Sequence, residues 1–425
     1  MRAILPLVLA LAACAPADPH ADPPDRVARR VTARTGATGD VVDGANAFAW
    51  DLYAELAAAD ANLLFSPLSV SAALGMTAAG AAGDTATQLA QALHATEPAD
   101  AWHAAFGELL DDLGGDKARG YQLSVANRLF GQQGLPWAAP FLARCEDDWH
   151  APLEDVDFAA DPEAGTDRVN AWVAEQTADR IPELLPPGLI DTDTRLVLAN
   201  AISFLASWWT RFDVQRTAPS RFRRLDGSAV QVDMMWLDLE EVEDARVRAS
   251  WTDEAVVVRL PYEDDEVAAY LVIPGEADGL PALEASLDAA AFEALVAPVA
   301  GAGREEGLDE GVIGLPRLSL RWKASLLPAL RALGVVDLFD GDLADLSPMA
   351  DDGAADQMFV AEVLHEAWMR VDEEGTEAAA ATAVVTKDVS APVPMVADHP
   401  FLFVIRDDLT GSVLFVARVL DPAAG

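Results

Sequence analysis

Residues 194–206, TRLVLANAISFLA, place Val, Leu, Ile and Phe in a nearly continuous apolar run. That is the pattern of a strand enclosed in a sheet core, not of one with a wet face. Helical spacing dominates up to about Leu185: NAFAWDLYAELAAAD carries it, and VSAALGMTAAG continues as a small-residue helix suited to a crowded core. After residue 194 the chain reads mainly as strand. EAVVVRLPYEDDEVAAYLVIP (254–274) predicts two strands joined by an acidic turn, VIGLPRLSL another short strand, and LLPALRALGVVDLF a short helix. HPFLFVIRD and GSVLFVARVLDP predict a closing hairpin that turns around DDLTG. No internal repeat or linker follows residue 44, so one mixed α+β domain of roughly 380 residues is expected, although length alone favours two or three domains.

The chemistry that many enzymes need is missing. HExxH, CxxC, GxSxG and GxxxxGK[ST] do not occur, and Gly80 and Gly83 lack the lysine of a phosphate loop. The six histidines, at 20, 94, 103, 150, 365 and 399, have no metal-ligand pairing. The residues therefore call for no metal, no cofactor and no catalysis. Seventy acidic against 29 basic residues give a net charge of −41. Such a surface repels nucleic acid and acidic glycans; it serves solubility and favours basic partners at low salt.

MRAILPLVLALAAC begins with Arg2 and an apolar run too short to span a bilayer, in outline a secretory signal. Leu11-Ala12-Ala13-Cys14 resembles the bacterial lipoprotein cleavage box, in which the cysteine becomes the lipidated N-terminus; an ordinary signal peptide fits the same residues. The expected organisation is a signal at 1–13, a flexible tether rich in Pro, Ala, Asp and Arg at 14–43, and a single domain at 44–425. The protein would be exported and held by lipid on a bacterial envelope, or released outside the cell. With Cys14 taken by lipid, Cys145 has no partner for an intramolecular disulfide. Phe141, Cys145 and Trp149 share one helix face, which predicts a buried structural thiol.

The stretch VDEEGTEAAAATAVVTKDVS (371–390) fits neither pattern around it. Alanine favours helix, yet the run has no stripe of 3.6 period. Composition leaves two readings open: a solvated Ala-rich loop or helix turn, or a segment small enough to slot between strands. In the second, Thr376, Ala378, Ala380 and Thr382 face one way, and Glu377, Ala379, Ala381 and Ala383 the other. Gly375 supplies hinge freedom, and alanine's weakness as a strand former keeps the segment from settling early.

EEGTEAAAAT, Glu373 to Thr382, resembles the proximal hinge of inhibitory serpins almost residue for residue. NLLFSPLSVSAALGMTAAGA (62–81), LVLANAISFLASWW (196–209), GVVDLFDGDLADL followed by LSPMA, HEAWMRVDEEGTEAAAA and ADHPFLFVIRD are similar to further serpin segments, in the family's order across nearly all of residues 44–422. The resemblance implies an α+β serpin fold, about eight to nine helices around three β-sheets, with an exposed reactive-centre loop at about 373–393. The hinge would comprise Glu373, Glu374, Gly375, Thr376, Glu377, Ala378, Ala379, Ala380, Ala381 and Thr382. Ser66, Ser69, Asn200 and His365 match the family's shutter, and Trp208 its breach, where the loop first inserts; none is catalytic. Counting fourteen residues from Gly375, or eleven back from Pro400, places the bait bond at Val389-Ser390, with Lys387-Asp388 as the fallback. A small β-branched residue before the cut suits an elastase- or subtilisin-like serine protease.

What the family implies is a monomeric suicide substrate that is cleaved, traps the acyl-enzyme and inserts its loop into the central sheet. The alternatives are a non-inhibitory serpin-fold binding protein cleaved as an ordinary substrate, and a cross-class inhibitor of cysteine proteases. Two departures stand out. WWTRF (208–212) lacks the proline often found before its Phe, and DDLGGDKAR (111–119) has no basic cluster to support glycosaminoglycan activation.

Overall fold

In the computed structural model, residues 36–114, 121–301, 303, 307–355, 358–376 and 394–424 are described. The chain begins with α1 (Ala37–Leu56), β1 (Leu63–Phe65), α2 (Pro67–Ala78), α3 (Gly83–Ala92), α4 (Ala99–Gly114), β2 (Tyr121–Gln132), α5 (Ala139–Trp149), β3 (Leu153–Val156) and α6 (Pro162–Gln176). β4 (Leu196–Ser207), β5 (Ala218–Arg223), β6 (Ala229–Asp238), β7 (Arg248–Trp251), β8 (Ala255–Pro261) and β9 (Val267–Pro274) follow, then α7 (Leu280–Glu284) and α8 (Ala289–Val296). The last part holds β10 (Val312–Pro316), β11 (Leu318–Ser325), α9 (Leu327–Ala332), β12 (Leu364–Val371), β13 (Gly375–Thr376), β14 (Pro394–Val396), β15 (Phe401–Asp407) and β16 (Val413–Val419).

Among the described residues these strands form three sheets. The central one runs β11-β12-β13-β4-β2-β3, a second β1-β16-β15-β9-β8-β7, and a four-stranded one β14-β10-β6-β5. β9, β15 and β16 are buried at every position, which is why apolar residues dominate them; Arg406, Asp407 and Arg418 are buried with them. α2 lies between β4 and β16. It opens on Ser66, whose side chain accepts the Ser69 N–H, with Pro67 pre-set for the first turn. α6 covers the lower part of the central sheet, where Phe130, Val169, Trp172, Val173 and Ala199 make a separate apolar cluster. Beneath β8, β9 and β15 lies a chain of buried charges. Asp408 takes Arg259 Nε at 2.7 Å and Arg406 Nη1 at 2.8 Å, and Arg259 Nη1 reaches Asp265 at 2.7 Å. Burial would raise the Asp408 carboxyl, but the two guanidinium groups hold it below its ordinary value.

Three expectations need correction. The tether was to run to residue 43, but α1 starts at Ala37, and Val41 and Val42 are buried. Core packing thus overrides a stretch containing Gly39 and Asp40, both poor helix formers. The helical first part contains three strands: β1 pairs antiparallel with β16, β2 makes a long antiparallel pair with β4, and β3 runs parallel to β2. VIGLPRLSL is two strands, because β10 and β11 belong to different sheets.

The Cys145 expectation holds, since Phe141, Cys145 and Trp149 are all buried on α5. Desolvation pushes the thiol up to about 12, so almost none is thiolate at neutral pH. In the folded protein Cys145 should resist an aqueous aromatic disulfide reagent and react once the chain is unfolded in denaturant. Immediate reaction of Cys145 in the native state would contradict this packing.

Candidate functional site at the head of the central sheet

β13 pairs antiparallel with β12 on one side and with β4 on the other, so β12 and β4 run parallel to each other across it. Among the described residues it comprises Gly375 and Thr376. Val371 pairs with Thr376, and the Asp372 N–H donates to the Gly375 carbonyl at 3.0 Å. Residues 372–374 therefore form a tight turn out of β12. The Glu374 N–H caps the Asp372 carboxylate at 3.0 Å within it.

The segment after β4 grips this turn. The Trp208 and Phe212 N–H groups donate to the carbonyls of Glu374 and Glu373 at 2.9 and 3.0 Å, and the Trp208 indole N–H donates to the Asp372 carbonyl at 2.9 Å. The indole stacks on Tyr262, with ring centroids 4.5 Å apart and planes 8° from parallel. The Tyr262 hydroxyl shares a hydrogen bond of 2.6 Å with the Thr376 hydroxyl. Burial pushes the phenol well above its ordinary value, so it stays neutral.

Gly375 is required by space. A Cβ there would lie 2.0 Å from the Ala206 carbonyl oxygen, and the backbone sits at φ +157°. Only a residue without a side chain lets the turn approach β4 this closely.

Each of the three acidic turn residues meets an arginine. Asp372 faces Arg370 at 3.2 Å, Glu373 faces Arg317 at 2.6 Å, and Glu374 faces Arg211 at 2.6 Å. Thr217 also donates to Glu373. Burial alone would raise the Glu373 carboxyl, but the bonds from Arg317 and Thr217 hold it below its usual value. Asp372 is raised by burial.

Lower in the sheet, the polar residues expected as a shutter do come together. Ser69 Oγ donates to Asn200 Oδ1, and Asn200 Nδ2 donates to Asn127 Oδ1 at 2.7 Å. Asn127 Nδ2 then donates to the Trp149 carbonyl at 3.0 Å. His365 Nε2 accepts the Ser66 N–H at 3.1 Å. One chain thus ties α2, β4, β2 and α5 together, and a second bond ties α2 to β12. Buried polar groups must be satisfied in this way. Asn127, Tyr262, Arg317 and Arg211 were not anticipated. A buried asparagine inside β2 was the only signal available for the first; the others make contacts too distant in sequence to be read from it. Glu377, Ala378, Ala379, Ala380, Ala381, Thr382, Val389, Ser390 and Cys14 lie outside the described residues. Among the described residues, no group of three or more His, Cys, Asp or Glu could hold a metal ion, and no helix is long and apolar enough to cross a membrane.

A family model described as serpin (serine protease inhibitor) matches residues 43–422. The chain is 37% identical over 390 residues to the leukocyte elastase inhibitor of Bos taurus, covering 88% of this chain and 97% of that protein. It is 35% identical over 391 residues to Serpin B8 of Homo sapiens, covering 90% and 100%. Its fold is similar to that of Arabidopsis AtSerpin1 in a native stressed conformation, with a TM-score of 0.75 at 27% identity, covering 92% of this chain and 99% of that one.

Burial pushes His365 down to about 4, and its accepting Nε2 requires the neutral ring. Unfolded, the same ring titrates near 6.5. Between those values the unfolded chain binds a proton that the fold excludes. The contribution is therefore complete above about pH 6.5 and is lost as pH falls toward about 4, by up to about 1.4 kcal/mol per pH unit. Urea midpoints measured across this window should fall with acid, and less steeply for His365→Gln. Parallel curves for the two proteins would remove His365 from the account.

Proposed function

The chain belongs to the serpin family of serine protease inhibitors, and on that premise we propose that it traps its target as a suicide substrate. The family makes it an inhibitor and not an enzyme. In the proposed reaction the protease serine attacks the Val389 carbonyl carbon. The Val389–Ser390 bond breaks, Ser390 leaves as a new N-terminus, and Val389 stays as an ester on the protease. The freed segment then enters the central sheet between β12 and β4, carrying the protease with it.

The observation that carries this reading is β13: two hinge residues already occupy the place between β12 and β4. Continuing its register sets Ala378 opposite Phe204 and Met369, Ala380 opposite Ile202 and Ala367, and Thr382 opposite Asn200 and His365. All of these partners except Asn200 are buried. Residues directly opposite in antiparallel strands share a face, so the entering face would be the one carrying threonine and alanine. On the outer face Glu377 would stand opposite Arg370, a favourable cross-strand pair. Insertion would add two antiparallel pairings, the more stable kind per residue, one to β12 and one to β4.

Val389 supports an elastase- or subtilisin-like target, and the bovine relative is named an elastase inhibitor. Residues 2–14 support export and a lipid anchor at Cys14 on a bacterial envelope.

Mixing the protein with pancreatic elastase should give an adduct that survives denaturing electrophoresis, together with a released peptide beginning at Ser390. Cleavage without adduct across a panel of serine proteases would favour the substrate-only reading; adducts confined to papain-like enzymes would favour cross-class inhibition. Thr376→Arg, placing a charge at a position 3% exposed, should cut adduct yield by more than about tenfold and leave cleavage intact. An unchanged yield would refute insertion past Thr376.

A further inference from the structure

Arg211 occupies the position before Phe212 where related chains often carry proline, and here it does something a proline could not. Its guanidinium meets the Glu374 carboxylate at 2.6 Å; the Arg211 side chain is 59% exposed and that of Glu374 18%. On either side of it, the Trp208 and Phe212 N–H groups hold the carbonyls of Glu374 and Glu373. One five-residue segment leaving β4 therefore closes on two consecutive residues of the turn, directly before Gly375.

The turn has a particular relation to the proposed insertion, on which this inference rests. If β13 lengthens from Thr376 onward in its present register, residues 372–375 need not move. Contacts on the turn are then kept from the resting state to the inserted one. Fixing a turn is the entropically expensive first step of any hairpin, and a turn already fixed lets strand pairing proceed by extension. The inhibitor succeeds only when that extension outruns hydrolysis of the acyl-enzyme.

We propose that Arg211 is a positioning residue for inhibition: by holding Glu374 it keeps the hinge turn in the geometry from which insertion extends, and so sets how many inhibitor molecules are cleaved for each protease trapped. It touches neither the protease nor the scissile bond. Its effect falls on the partition after acylation and not on the encounter before it.

The test uses the full chain and a protease that the wild type traps, with Arg211→Ala, Arg211→Lys, Arg211→Glu, Glu374→Arg and the Arg211→Glu/Glu374→Arg double variant. Arg211→Ala should raise the share of inhibitor lost as cleaved product about two- to fivefold, the range open to a partly exposed ion pair. The association rate constant should not change. The double variant should recover most of the loss, and the wild-type advantage should shrink in high salt. An unchanged partition in Arg211→Ala, or a loss that the swapped pair does not restore, overturns the proposal.

Amide exchange at residues 373–376 gives a readout that needs no protease: Arg211→Ala should speed it and Arg211→Lys should largely restore protection. Unchanged exchange overturns the role of Arg211 even where trapping stands. If the wild type forms no adduct with any protease, the trapping function fails, whatever the exchange shows.

Discussion

Two strands pointing the same way govern the head of this molecule. β12 and β4 both pair antiparallel with β13, and so they run parallel to each other on either side of it, with Gly375 and Thr376 between them among the described residues. On their other edges the two long strands have full-length partners: β4 takes β2, and β12 takes β11. The contacts at the turn follow from this arrangement. The backbone must reverse within residues 372–374, which brings three acids together and demands an arginine for each. Gly375 must press against β4 with no side chain between, and Trp208 must cover the turn from above.

The molecule handles buried polarity in two ways. Under β8, β9 and β15, full charges are locked together by Arg259, Asp408, Arg406 and Asp265, inside strands that keep their neighbours. Removing one partner there would strand a charge, at a cost of about 3–5 kcal/mol. Beneath the central sheet the groups are neutral: a serine, two asparagines and an uncharged histidine, with bonds running between elements and not along them. Neutral hydrogen bonds are individually modest, about 1 kcal/mol net, and can be exchanged for others of equal quality. Ion pairs return at the head of the central sheet, on Asp372, Glu373 and Glu374, so the neutral bonds are those of the α2, β2 and β4 network below the turn.

Much of this was legible in the sequence, and the gaps have physical causes. β9, β15 and β16 declared themselves because burial on both faces gives each a run of apolar residues, Phe401 to Ile405 in β15 and Val413 to Ala417 in β16, before any charge appears. β2 did not, since Gln122, Asn127, Arg128 and Gln132 interrupt it and helical spacing surrounds it. The stretch from residue 371 was readable as a composition that suits no permanent element, and of it Gly375 and Thr376 lie between β12 and β4. Its geometry was not readable: that Glu373 meets Arg317, or that Tyr262 meets Thr376, depends on elements far apart in the chain. Arg211 was visible only as a missing proline, because a departure at one position carries no word about its partner.

The turn at 372–374 has a consequence for how the chain reaches this state at all. It joins β12 to the residues that would extend β13, so that pairing is local, whereas β4 lies far back in the chain, Thr376 pairing with Ala206. Local hairpins close in about 1–10 μs, and pairings of high contact order take far longer. If the chain inhibits by insertion as proposed, kinetics alone would form the relaxed hairpin first and spend the protein at birth. The alanines after Thr376 work against that outcome, because poor strand formers give the hairpin too little to hold until the rest of the sheet is built. Replacing them with valine or isoleucine would improve the strand and lose the inhibitor, with newly made chains running past the active state and no protease involved.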